Sequence, residues 1–139
     1  MLASLRKARK AFLETKLPLL VNRVHERTIG AHFADALRAF YPRFEVDPEY
    51  DRNLERTKYA VILGRIRRIV PDVVVHRWRT HDFNHLAIEI KRADANQAGI
   101  RKDRLKLRAM RRPPYSYPHT YLMFYSTGPD ADIWFEEVT

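Results

Sequence analysis

Cysteine is absent from the 139 residues. That excludes a disulfide framework, a cysteine-based zinc site and a thiol nucleophile. It is compatible with a reducing cytoplasm, where the chain is expected to reside. No apolar run approaches the roughly 20 residues needed to span a bilayer, so no membrane association is expected. The first residues carry Lys and Arg but no apolar stretch ending in a small-residue cleavage site, so no secretory signal is evident. Internal repeats, low-complexity tracts and interdomain linkers are also missing. This leaves one domain over residues 1–139, large enough to bury a core. Acid is in short supply: 17 Asp and Glu stand against 26 Lys and Arg, for a net charge of +9. Such a balance predicts attraction to polyanions, most simply nucleic acid. A basic surface serving solubility alone is the bland alternative.

What is present is organised around residues 71–91. Pro71-Asp72-Val73-Val74-Val75-His76 and Leu86-Ala87-Ile88-Glu89-Ile90-Lys91 read as two short strands. Their apolar runs suggest burial on both faces. The polar break Arg79–Asn84 between them reads as a turn. Residues two apart on a strand share a face, so Glu89 and Lys91 stand together, with Ile88 and Ile90 opposite. Charges in the middle of an apolar sheet cost free energy unless they are paired or bind something. With the hairpin centred between His81 and Asp82, Asp72 falls opposite Lys91 and diagonal to Glu89. The three side chains would then converge, close enough to hold one metal ion between the carboxylates. A one-residue slip would turn Asp72 away.

Pro71-Asp72, sixteen intervening residues, then Glu89-Ile90-Lys91 resembles the signature of the PD-(D/E)XK nuclease superfamily, the restriction-endonuclease-like fold. The resemblance covers about residues 22–126. It implies an α/β fold with a central mixed sheet of four to five strands flanked by helices, in the order α-α-β-β-β-α-β-β. It also implies a Mg²⁺-dependent (or Mn²⁺-dependent) endonuclease. Asp72, Glu89 and the Ile90 carbonyl would hold the ion, and Lys91 would orient the attacking water and stabilise charge on the phosphate. Nucleic acid would be the partner, DNA more readily than RNA, and a homodimer would serve to cut both strands.

The flanks are read on the same terms. Residues 1–17 look like an amphipathic helix ended or restarted by Pro18. It is expected to pack on the domain, with its basic side as a secondary contact. Residues 22–40 predict a helix capped by Asn22, with Ile29, Phe33, Leu37 and Phe40 on one face. Glu26 falls on that apolar stripe. Either it points toward Asp72 and Glu89 and helps hold or hydrate the metal, as a first-helix glutamate does in several branches of the resembled superfamily, or it sits at the helix start and is favoured by the dipole. His25 and His32 read as surface or rim residues. Phe44–Tyr50 reads as an edge strand limited by Pro48. Its Glu49 either reaches the metal or pairs with an arginine such as Arg52.

Residues 53–69 admit two readings, a helix through Leu54, Lys58, Val61 and Arg65, or a strand over residues 59–63. Arg65, Arg67 and Arg68 either grip phosphates or form a solvated loop. Asp94 and Gln97 are spaced as a capping box for a basic helix through residues 101–112. Leu105, Ala109 and Lys102 fall on one side of it, and Arg101, Arg104, Arg108 and Arg111 form a stripe suited to phosphates, joined by Arg92. Residues 120–126 and 133–138 read as strands. Tyr121, Phe124, Tyr125 and Trp134 serve base stacking or, more simply, core packing. Two further readings stand beside the nuclease. One is a non-catalytic module gripping nucleic acid or a protein, with Asp72, Glu89 and Lys91 reduced to a salt-bridge network. The other is a metal cluster of His76, His81 and His85, which lacks any recognised zinc spacing.

Overall fold

The computed structural model describes residues 1–50 and 59–139 in full, with only strand pairing between residues 52–53 and 56–57 described in the intervening stretch. In chain order the elements are α1 (Ala3–Val21), α2 (Glu26–Arg38), β1 (Glu45–Pro48), β2 (Arg52–Asn53), β3 (Arg56–Thr57), β4 (Tyr59–Ile62), β5 (Arg65–Arg68), β6 (Val73–His76), β7 (Leu86–Arg92), α3 (Gln97–Met110), β8 (His119–Tyr125) and β9 (Ile133–Glu137). The chain is α/β. Five strands form one mixed sheet in the order β1-β6-β7-β8-β9. Only β7 and β8 run parallel, and α3 bridges them. Parallel neighbours need such a crossover.

The sheet separates two apolar cores. On one face Val73, Val75, Leu86, Ile88 and Ile90 meet Leu5, Phe12, Ile29, Phe33 and Leu37 of α1 and α2. On the other, Val74, Ala87 and Leu122 meet Ile100, Leu107 and Met110 of α3. The strict alternation of β6 and β7 residues between these cores explains why both strands read as continuous apolar runs.

Four local readings are corrected. Pro18 lies inside α1, which runs on to Val21. Asn22 closes that helix instead of opening the next one, and His25 occupies the cap position of α2 without a side-chain cap bond. Asp94 is paired with Arg92 at 3.0 Å, and Asn96 caps α3 by accepting a 2.8 Å bond from the Gly99 N–H. The buried residues of α3 are Ile100, Asp103, Leu107, Ala109 and Met110, so Ala109 is buried while Lys102, placed on the same side, is exposed. Replacing Asn96 by alanine is expected to cost about 1 kcal/mol, read as a small drop in thermal midpoint.

The helix reading of 53–69 fails over its described part. Residues 59–62 and 65–68 pair as an antiparallel hairpin, Ile62 opposite Arg65. Leu54, Lys58 and the Arg52 side chain lie outside the described residues. The two-residue turn puts Leu63 at φ 51° and Gly64 at φ 75°, the positive pair that a type I′ turn demands. Glycine adopts this freely, whereas leucine there is strained. No helix among the described residues is long and apolar enough to cross a membrane.

Candidate active site

The β6–β7 register sums to one pairing: Val73 with Ile88, Val74 with Ala87, Val75 with Leu86. Continued by one residue, it sets Asp72 level with Glu89. The expected pairing of Asp72 with Lys91 is therefore corrected by two residues. A slip of two preserves the face, so Asp72, Glu89 and Lys91 share the α3 side of the sheet. Asp72 is anchored by its Oδ2, which accepts a 2.6 Å bond from the Ile90 N–H. Its carboxyl stands level with that of Glu89 on the neighbouring strand, near enough that the Asp72 charge acts on Glu89.

Two neighbouring carboxyls inside a protein are electrostatically costly, and their proton affinities show it. Glu89 is 2% exposed. Burial first, then the Asp72 charge, pushes its carboxyl well above the ordinary range. Burial likewise raises Asp72, against the opposing pull of the Ile90 N–H. Glu26, at the first turn of α2, is raised by burial and then by Asp72. It lines a cleft of about 500 Å³ together with Asp72, His25, Arg27 and Glu49. Glu26 thus stands beside Asp72 in the cleft and also at the start of α2, so each of its two readings describes part of its position. Glu49 lines the same cleft, but its Oε1 accepts a 3.0 Å bond from Arg27.

Two lysines balance these acids. Lys91 Nζ lies 3.0 Å from Asp103 Oδ2. Burial opposes its charge most strongly, but the bond to Asp103 and the charges of Asp103, Glu26 and Glu89 together outweigh that and raise it. Lys106 Nζ lies 2.9 Å from Glu89 Oε1 and 3.9 Å from Asp103 Oδ1. The first contact is an ion pair set off the line of a well-aligned hydrogen bond, which leaves Glu89 Oε1 without a directed donor. Burial works against the Lys106 charge too, and Glu89 more than compensates. Asp103 and Lys106 were not picked out from the sequence. The signal was there: Asp103 is a lone acid in a basic run, three residues after Ile100 and four before Leu107, hence on the apolar stripe.

The remaining candidates disperse. On α3, Arg104 makes a two-pronged pair with Glu136 at 3.1 and 2.9 Å, Arg111 donates to the Pro118 carbonyl at 2.9 Å, and Arg108 leans on the Thr139 carbonyl at 3.4 Å. Only Arg101 of that stripe turns toward the β4–β5 hairpin, where Arg65, Arg67 and Arg68 are exposed. Arg92 is exposed and pairs with Asp94. His76 bonds Asp47 at 2.8 Å, His81 contacts Asn84 at 3.0 Å, and His85 stacks edge-on with Tyr41 and His119. These three histidines therefore go to separate partners. Tyr121 and Tyr125 are buried, and Trp134 stacks on Phe124.

No group of three or more His, Cys, Asp or Glu side chains is placed to hold a metal ion among the described residues. The two carboxylates nonetheless suit Mg²⁺ or Mn²⁺. Magnesium is bound through one or two carboxylates, its remaining positions filled by water and phosphate. An all-oxygen pair with surplus negative charge and an undirected Oε1 fits that donor set. Compared with known proteins, the chain matches no family model, no curated sequence and no solved structure.

Proposed function

We propose that the chain is a metal-dependent nuclease of the PD-(D/E)XK type, on a restriction-endonuclease-like core, cutting phosphodiester bonds in DNA more readily than in RNA. The observation that carries this reading is the β6–β7 register, which sets Asp72 level with Glu89 on neighbouring strands, with Lys91 on the same face. Asp72, Glu89 and the main-chain carbonyl of Ile90 would hold Mg²⁺ or Mn²⁺. Such an ion supplies positive charge at the scissile phosphate and makes water more acidic. Lys91, kept protonated and held in place by Asp103, orients the attacking water and stabilises negative charge building on the phosphate. Lys106 neutralises the acidic pair from the α3 side. Glu26 faces the cleft with a carboxyl that takes up protons more readily than usual. Two copies would be needed to cut both strands of a duplex.

Supercoiled plasmid tests this directly. With Mg²⁺ or Mn²⁺ the protein is expected to nick and then linearise it, and EDTA is expected to stop the reaction. Lys91→Ala should lose cleavage, and Lys91→Arg should not restore it, because a planar guanidinium cannot replace a compact ammonium between Asp103 and the carboxyls.

One observation favours a second reading. Both lysines already sit against acids, Lys91 on Asp103 and Lys106 on Glu89, so the constellation is also complete as a structural charge network. On that reading the chain is a binding module that grips nucleic acid or a protein without cutting. Retained DNA binding with no cleavage in either metal selects it.

A further inference from the structure

The β4–β5 hairpin is the part of the chain that the acidic site leaves unexplained. It pairs with neither edge of the main sheet. Opposed residues share a face, so Ala60, Ile62, Arg65 and Arg67 form its inner side, and Tyr59, Val61, Ile66 and Arg68 its outer side. Ala60 packs into the α3 core. The hairpin and α3 enclose a groove of about 740 Å³ in which Arg65, Arg67, Arg101, Lys102 and Lys106 stand among apolar residues such as Val70 and Leu105. Among the described residues no Asp or Glu lines it. Lys106, one of its lining residues, also carries the ion pair to Glu89. That lysine is shared between the groove and the acidic pair.

The tip and outer side are aliphatic where a solvated hairpin is polar. Leu63 is 82% exposed, Ile66 76% and Val61 61%. Leu63 holds a left-handed backbone at the turn, where glycine or asparagine fits without strain. An exposed apolar residue kept in a strained conformation, beside a polyanion-binding groove, marks a functional tip. A second copy of the chain is a poor occupant, since it would bring like charges against like. Aliphatic side chains flanked by arginine are what proteins insert into the minor groove of DNA, wedging base steps apart while the cations hold phosphates.

We propose that the β4–β5 hairpin engages duplex DNA, with Arg65 and Arg67 on the phosphates and Leu63 and Ile66 against the base steps of the minor groove. The inference rests on the nuclease reading for its ligand.

The test is fluorescence anisotropy with a short labelled duplex and with its single strand, using the full chain carrying Glu89→Gln so that nothing is cut. Adding Leu63→Gly relieves the strained turn, so that variant folds. It is expected to weaken duplex binding about fivefold without changing the salt slope, because it removes a wedge and no charge. Arg65→Ala with Arg67→Ala is expected to flatten the salt slope by about two. Single-strand binding should not respond to Leu63→Gly. Unchanged duplex affinity in Leu63→Gly, equal losses for duplex and single strand, or a hairpin variant that alters only self-association would each overturn the proposal. Plasmid left uncut in metal while the hairpin variants behave as described sinks the nuclease reading alone. Plasmid cut at an undiminished rate by both hairpin variants rebuilt with Glu89 intact, with undiminished affinity, sinks the hairpin proposal alone.

Discussion

Glu89→Gln is expected to abolish metal-dependent cleavage and leave the fold standing. The side chain is 2% exposed and stands level with Asp72 on the neighbouring strand. Glutamine keeps its volume and one acceptor oxygen but removes the charge that the cation requires. Metal-borne charge stabilisation is worth several kcal/mol, which converts to a loss of about 10³-fold in rate. The thermal midpoint should move little. Lys106 still has Asp103 at 3.9 Å and the Val70 carbonyl at 3.4 Å, and one of two repelling carboxylates is gone. Plasmid cleavage and a melting curve on the same preparation separate the two effects. A variant that unfolds, or one that cuts at the parental rate, breaks the link between this carboxylate and catalysis.

Lys106→Met is expected to give the largest loss of stability. It leaves Glu89 buried, charged and facing Asp72 with its nearest cation removed. Removing one partner of a buried pair typically costs about 3–5 kcal/mol, which for a chain of this size lowers the midpoint by roughly 10 °C. The loss depends on pH in a defined direction. Glu89 and Asp72 hold protons more tightly folded than unfolded, starting from ordinary values of 4.5 and 3.8. Their proton-linked contribution to stability is fully present below those ordinary values and is lost as pH rises through the raised folded ones. Without Lys106, Glu89 is pushed higher still. The gap between the variant and the parent should therefore be wide at pH ~8 and narrow by pH ~5, because protonation removes the uncompensated charge. Combining Lys106→Met with Glu89→Gln should recover most of the loss, giving a coupling that a double-mutant cycle measures. A gap that widens on acidification would mean that Lys106 stabilises something other than this carboxylate.

The parts of the molecule visible in the sequence are those set by strong local patterns. The alternation of Val73–Val75 and Leu86–Ile90 gave two central strands, and the same period put Glu89 and Lys91 on one face. The helical stripe Ile29, Phe33, Leu37 gave α2 and set Glu26 on its inner side. Turn centre was not visible: Arg79–Asn84 contains no Asn-Gly or Asp-Gly pair to fix it, and the register came out two residues away. Helix ends were misread where several polar residues competed for one cap, as with Asp94 against Asn96. Pro18 was read as a boundary, yet it lies within the last turn and a half of α1, where losing one N–H does not end the helix. Asp103 and Lys106 were overlooked because seven cations in twelve residues masked the apolar period beneath them. Their closeness to Glu89 is a tertiary fact that depends on α3 crossing the sheet between β7 and β8.

Calorimetric titration of the full chain with Mn²⁺, in two buffers of different ionisation enthalpy at neutral pH, tests the acidic pair most directly. Both carboxyls bind protons more readily than usual, so a cation that takes them as carboxylates competes with protons for the same oxygens. The account predicts one saturable Mn²⁺ site with measurable proton release, lost in both Asp72→Asn and Glu89→Gln. Equal Mn²⁺ binding by parent and both variants, or no binding by the parent, would contradict it.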